Sequence, residues 1–359
     1  MEKIIIKNFG PIKDIELEIK DINVFIGSTS SGKSTVAKLI SIFRDSAELI
    51  YTDDFAIVEE LLSDYNINYI FQEKTYIEYI KGEYSLQLKS NEVHSNLPFK
   101  GLASAIDPNR EMAPIISSLA KSMMSGKASV NKLISLALLS IDSYDFDKIE
   151  VKSEGSDKKV NRFRELVEKV KNNKDQIIND EGYYLDETMS YMAEINDLVM
   201  RPFGSGKIIY IPAERILLSL VAESIFGLMN NDVSIAKCIK QFGTRLESAR
   251  KKNSNFSIPF LEVSYVYSDK SNFVTFDDRA KVKLEQASSG LQSIIPLLLV
   301  IESNTSDENI VENCFVIEEP ELNLYPTVQK ELVEFIIERI NKHKDKLIIT
   351  THSPYVLTS

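Results

Sequence analysis

The sequence predicts an α/β protein, a β-sheet flanked by helices and interrupted by a long helical insertion. Three observations carry this prediction. Strand-like runs separated by turn residues open the chain, and an apolar strand then leads through a glycine-rich loop into an amphipathic helix. The stretch from about 91 to 204 switches to a polar, helical texture unlike either flank.

In chain order, Ile4-Ile5-Ile6, a turn at Gly10-Pro11, Ile15-Leu17-Ile19 and Val24-Phe25-Ile26 read as three short strands. Val36, Leu39, Ile40 and Phe43 then recur at helical spacing. Residues 75–90 pattern as a hairpin around Lys81-Gly82. Lys/Glu-rich segments such as KKVNRFRELVEKVKNNK mark an inserted subdomain, so residues 1–90 and 205–359 are expected to form one domain around an insertion at 91–204. Further strands are expected at 207–211, 260–267, 272–277, 281–285, 314–318 and 346–350. Helices are expected at about 214–229, 233–251, 288–302 and 326–341.

Composition narrows the function classes. With 359 residues and 43% hydrophobic content, the chain can bury the core of one large or two ordinary domains. Two cysteines, Cys238 and Cys314, are too few for a disulfide scaffold or a four-thiolate zinc site. Three histidines, His94, His343 and His352, argue against a histidine-rich metal or nuclease centre. No apolar run reaches the ~18 residues that a membrane span needs, and MEKIIIKNFG lacks the long apolar core of a signal peptide. A soluble, cytoplasmic protein without a membrane partner is expected. The net charge of −11 opposes coating of nucleic acid by the whole surface and leaves a local basic groove open.

Gly27-Ser28-Thr29-Ser30-Ser31-Gly32-Lys33-Ser34, followed by Thr35, fits GxxxxGK[ST] between a strand and a helix. In such a loop, backbone N–H groups cradle phosphate, Lys33 neutralises β/γ charge and the Ser34 hydroxyl is a Mg²⁺ ligand; ATP and Mg²⁺ are the expected cofactors. Cys314-Phe315-Val316-Ile317 is an apolar strand ending in Glu318 and Glu319. A parallel strand beside the loop would bring Glu318 to the magnesium shell, through water, and let Glu319 orient or deprotonate an attacking water. Glu at 318 replaces the usual Asp and lengthens that reach. Ser288-Ser289-Gly290 opens an apolar helix and is first of all an N-cap. His352 follows the apolar strand Leu347–Ile349.

The order of phosphate loop, serine–glycine helix start, acidic pair and histidine resembles that of ABC-type ATPases. IEEPELNLYP (317–326), ASSGLQSIIPLL (287–298), YIPAER (210–215) and TTHSPYVL (350–357) resemble their OLD/RecF-like group, and within it bacterial anti-phage defence ATPases: the overcoming-lysogenization-defect, Gabija and Septu-type proteins. The likeness covers about 1–90 and 205–359. It implies a two-lobed P-loop ATPase head that forms a homodimer or higher homo-oligomer around two ATPs. In that arrangement Ser288, Ser289 and Gly290 face the γ-phosphate held by the opposite protomer, and His352 is the switch histidine contacting it. Glu214 and Arg215 could meet nucleotide or the partner lobe, or equally form a helix-start salt bridge. Tyr325 stands where relatives often carry histidine.

Some relatives carry a nuclease domain. Glu154-Gly155-Ser156-Asp157 matches its glycine-flanked glutamate only superficially, since VKSEG is not a buried strand, and no CxxC pair supports an HNH centre. Seven residues follow His352, fewer than such heads normally carry, so a further C-terminal segment is expected. Three functions follow: an ATP hydrolase controlling an effector nuclease in phage defence, an ATP-gated scaffold with negligible turnover, or a RecF/SMC-like ATPase that grips DNA. Glu319 favours the first over the second. The third expects long heptad arms or a broad basic face, and neither is visible apart from the mixed run Lys158–Lys174, a pattern more often a solvated helix face.

Overall fold

A computed structural model describes residues 1–45, 49, 54–96, 161–162, 165–166, 168–169, 190–191, 194, 207–221, 235–276, 280–305 and 312–357. Nearly all of the expected 91–204 insertion lies outside the described residues, as do the second half of the helix expected at 214–229 and the Glu154-Gly155-Ser156-Asp157 match.

The centre is a four-stranded parallel sheet, β3 (Ile22–Ile26), β13 (Lys346–Thr351), β12 (Cys314–Glu318) and β7 (Ile208–Ile211), in that order. Strands β7 and β12 and nearly all of β13 are buried because both faces are covered, whereas the edge strand β3 leaves Ile22 and Ile26 exposed. Ile208, Tyr210, Val316 and Ile348 face one core, while Ile209, Ile211, Phe315, Ile317, Leu347 and Ile349 face the other. Side chains alternate at period two, so one sheet divides the molecule into two lobes.

The first lobe holds an antiparallel sheet ordered β2 (Ile12–Glu18), β1 (Glu2–Phe9), β4 (Tyr76–Lys81), β5 (Tyr84–Lys89), β6 (Glu92–Ser95). The helix α1 (Lys33–Asp45) buries Val36, Leu39, Ile40 and Phe43 between this sheet and β13, as their spacing predicts. Helix α2 (Phe55–Asp64), absent from the sequence-based assignment, is capped by Asp54 and adds Val58, Leu61 and Leu62 to the same core. A buried polar knot closes the lobe: Arg44 and the Tyr79 hydroxyl both bond Glu2, with Lys81 3.4 Å from the same carboxylate.

The second lobe packs α3 (Arg215–Val221), α4 (Lys237–Lys252), α5 (Ser289–Asn304) and α6 (Pro326–His343) with the antiparallel sheet β11 (Ala280–Lys283), β10 (Ser271–Phe276), β9 (Val263–Ser268), β8 (Asn255–Ile258). No helix among the described residues is long and apolar enough to cross a membrane. The architecture is the expected α/β one, a sheet flanked by helices, with a lobe on each side. One detail differs. The acidic strand β12 is not beside the phosphate-loop strand β3; β13, which leads to His352, lies between them.

Candidate active site

Parallel strands place their carboxyl ends in one row. Thr351 pairs with Ile26 at the last register position of β13 and β3, and Glu318 pairs with Thr350. The residues just beyond those pairs, Gly27, His352 and Glu319, therefore emerge side by side at one edge of the sheet.

The loop Gly27–Ser34 folds back over this edge. Its left-handed positions are Ser30 (φ +62°) and Gly32 (φ +95°), whereas Gly27 does not require one. Gly32 is doubly constrained, because a Cβ there would lie 2.6 Å from Ile12 Cγ1. Lys33 Nζ donates to the carbonyls of Gly27 and Ser28, both at 2.9 Å, with Ser31 Oγ at 3.5 Å. The same Nζ lies 3.5 Å from both ring nitrogens of His352. Ser28, Thr29 and Ser31 are exposed around it, and Thr35 is buried in the first turn of α1.

His352 Nε2 stands 3.2 Å from Glu319 Oε1. Glu319 itself has φ +43°, a left-handed backbone unusual for a β-carbon-bearing residue, and its amide donates to Thr350 O at 2.8 Å. The turn of chain aims its carboxylate at the histidine. Lys33, His352 and Glu319 thus form one line of contacts drawn from three distant stretches.

Glu318 is 3% exposed, and its Oε1 has no hydrogen-bond partner among the described residues. Burial pushes its carboxyl up. Lys38 pulls the other way, Glu214 adds to the rise, and the hydroxyls of Tyr210 and Ser34 lower it. An unpartnered buried oxygen beside the Ser34 hydroxyl is the donor chemistry of a hard divalent cation, so these residues fit Mg²⁺. Among the described residues no group of three His, Cys, Asp or Glu side chains could hold a metal. A cation on Ser34 and Glu318 would complete its shell with phosphate oxygens and water.

Ser288, Ser289 and Gly290 are not brought to this edge by any described contact. Ser288 caps α5, accepting from the Leu291 amide at 3.4 Å, and a Cβ on Gly290 would lie 3.0 Å from Asn323 O. Within one protomer the motif caps a helix that abuts the segment following the acidic pair. Ser288 and Ser289 remain exposed.

Glu321 escaped the reading by spacing, and Arg215 was given the wrong roles by it. Glu321, 8% exposed, accepts from Thr351 Oγ1 at 2.6 Å and from the His352 amide at 2.8 Å, and so anchors the histidine's backbone. Its partners are thirty residues downstream, beyond any local pattern, although three glutamates within IEEPE were a signal of crowding. Arg215 fits neither expected role. It is fully buried, and its donors end on backbone carbonyls, not on nucleotide-facing space or a neighbouring acid. Glu214 is exposed at the start of α3, and Tyr325 is 75% exposed at the start of α6.

Comparison with known proteins adds a family. The AAA ATPase domain (AAA_15) matches residues 1–216 and 223–357. No curated protein matches the chain. Among solved structures, the chain is similar to the SMC head domain from Thermotoga maritima, at 11% identity over 99% of this chain and 90% of that one, with a TM-score of 0.38. It is similar to the same degree (11%, TM-score 0.38) to the Pyrococcus furiosus Smc head bound to the C-terminal domain of ScpA, covering 100% of this chain and 92% of that one. It is also similar to the recombination mediator protein RecF, at 11% identity, 99% and 92% coverage and a TM-score of 0.31.

Proposed function

This chain belongs to the AAA ATPase domain family, and from that premise we propose that it is a Mg²⁺-dependent ATP hydrolase whose site is the edge formed by Gly27–Ser34, Glu318, Glu319 and His352. The observation that carries the reading is the line from Lys33 through His352 to Glu319.

The backbone amides of the loop receive the phosphates, and Lys33 exchanges the Gly27 and Ser28 carbonyls for β/γ oxygens. Ser34 and Glu318 are the residues that would hold Mg²⁺, which when bound neutralises the charge on the phosphates. Glu319 accepts the proton of a water in line with the γ-phosphorus; the water oxygen bonds to phosphorus as the bond to the leaving ADP oxygen breaks. His352 sits between the carboxylate and the loop lysine, where one ring nitrogen can donate to the γ-phosphate. The exposed Ser288 and Ser289 at the start of α5 support a second head as the group that closes the site.

At a finer level, we read the nucleotide-dependent dimer as the regulator of a partner nuclease in bacterial anti-phage defence. The support is the resemblance of IEEPELNLYP, ASSGLQSIIPLL and TTHSPYVL to such ATPases. Co-purification of a small nuclease encoded beside this chain, released or activated as ATP is consumed, is the expected result. ATPase activity stimulated by DNA ends without any such partner would favour a RecF/SMC-like role instead.

The basic activity is tested first. Mg-ATP titrated calorimetrically should bind the wild type and fail to bind Lys33→Ala, since the charge opposing the phosphates is gone. Unchanged binding in that variant removes the assignment of the loop.

A further inference from the structure

An arginine has five N–H donors in a rigid planar fork, and burying it requires that all five find acceptors. At Arg215 all five do. Nε donates to Ser293 O at 3.0 Å, and Nη1 to Pro212 O at 3.1 Å and Glu318 O at 2.8 Å. Nη2 donates to Glu319 O at 2.7 Å and Pro320 O at 3.3 Å. The side chain is 0% exposed, and every acceptor is a main-chain carbonyl. One residue therefore grips three consecutive peptide units of the acidic turn and, on its other side, the second turn of α5.

The α5 end of this grip has a local cause. Pro296 lies inside α5 and has no N–H, so the Gln292 carbonyl loses its helical partner. Ser219 Oγ, one turn along α3 from Arg215, donates to that carbonyl at 2.7 Å. Arg215 takes the next carbonyl, Ser293 O. The short helix α3 is thus fastened to α5 where the proline has opened it, and to the acidic turn where Glu319 takes its left-handed backbone.

We propose that Arg215 is a positioning residue for ATP hydrolysis, tying the helix that begins at Ser288–Gly290 to the Glu318–Pro320 backbone so that the two move as one unit and the Glu319 carboxylate is aimed by the position of α5. The proposal rests on the reading of Glu319 as the water-activating carboxylate. Its consequence is that docking of a second head on the start of α5 is felt at Glu319 without any contact to that side chain. Burial holds the guanidinium down to about 10, with Glu321, Glu319 and Glu318 opposing that fall, so it remains charged and fully donating at neutral pH.

The test is Arg215→Lys, which keeps the charge but presents three rotatable donors in place of a five-membered fork. The expected result is a fall in kcat of about 10²-fold with the ATP dissociation constant within about threefold of wild type. A purely structural arginine would instead lower the melting temperature with kcat per folded molecule intact, and that outcome overturns the proposal. Amide hydrogen exchange provides a second readout, independent of turnover and of any variant. In the wild type, adding a non-hydrolysable ATP analogue with Mg²⁺ should change protection of the 289–296 and 317–322 segments together. In Arg215→Lys both segments should exchange faster, and the analogue should shift only one. Independent responses in the wild type refute the tie, even if the variant does not fold. If Glu319→Gln hydrolyses ATP like the wild type, the reading of Glu319 has failed instead, and the exchange data still decide whether Arg215 joins the two segments.

Discussion

Glu318 sits at the end of a strand buried on both faces, so its carboxylate is taken from water with one oxygen unpartnered among the described residues. Burial raises its folded pKa above the unfolded value. Between the two values the native state holds the extra proton, so stability falls as pH rises through that window and stays lower above it. Glu318→Gln removes the ionisable group without removing the shape. It should melt higher than wild type at neutral pH, by about 1–3 kcal/mol, the order for an unpartnered buried polar group. The advantage should vanish below about pH 4.3, the ordinary glutamate value. Thermal melts across pH check it, and a variant less stable than wild type at neutral pH would mean the carboxylate is better satisfied than its surroundings indicate. The same substitution should weaken Mg-ATP binding, a trade of stability for function. Glu319 is different: it is partly exposed and faces His352 at 3.2 Å. Glu319→Gln should retain Mg-ATP and lose turnover by about 10²–10⁴-fold, the usual worth of a positioned base, measured as phosphate release in single-turnover experiments.

At the scale of elements, the informative object is a helix that contains a proline and survives it. Pro296 removes one hydrogen bond from α5, and a hydroxyl on α3 replaces it. Ser219→Ala should therefore cost about 1–3 kcal/mol, because the buried Gln292 carbonyl is left without a donor. In the Pro296→Ala background an amide at position 296 can serve that carbonyl, and the cost of Ser219→Ala should drop to a few tenths of that. A double-mutant cycle in urea measures this coupling directly. Additive effects would mean that Ser219 stabilises α3 for some unrelated reason. The phosphate loop follows the same logic of local constraint, since Gly32 combines φ +95° with the Ile12 side chain against its α-carbon. The β1–β2 turn thereby sets the height of the loop above the sheet.

At the scale of the molecule, the phosphate loop and the start of α5 lie apart within one protomer. The loop, Glu318, Glu319 and His352 belong to one edge of the central sheet, while Ser288 and Ser289 at the start of α5 are exposed and make no described contact with that edge. If two heads close on each other, each site joins residues of both chains, a two-fold arrangement that makes both sites equivalent. Lys33→Ala and Ser289→Arg should each abolish ATPase activity alone. Ser289 is exposed, so arginine there leaves its own protomer's packing intact. Mixed dimers of the two variants should recover part of the wild-type rate, because one of their two composite sites contains neither change. No recovery in verified mixed dimers would leave Ser288–Gly290 as a helix cap worth about 0.5–2 kcal/mol and nothing more.

The sequence alone determined whatever depends on neighbours in the chain. Strand, loop and helix around Gly27–Ser34, the buried strands at 314–318 and 346–351 and the helix after Ser288 all follow from short-range periodicity and turn chemistry. Helix α2 and strands β6 and β8 were missed because they are short, and packing within their lobes, more than pattern, stabilises them. Only the tertiary structure decided relations between distant segments. It put β13 between the phosphate-loop strand and the acidic strand, and so brought His352 to Lys33 and Glu319. It turned Glu321 from one more acid into the anchor of the histidine, and Arg215 from a surface partner into a clasp on five carbonyls. The physical reason is common to all three. A buried polar group must be satisfied, but the chain can supply its partner from any distance, and only the fold reveals which carbonyl or carboxylate that is.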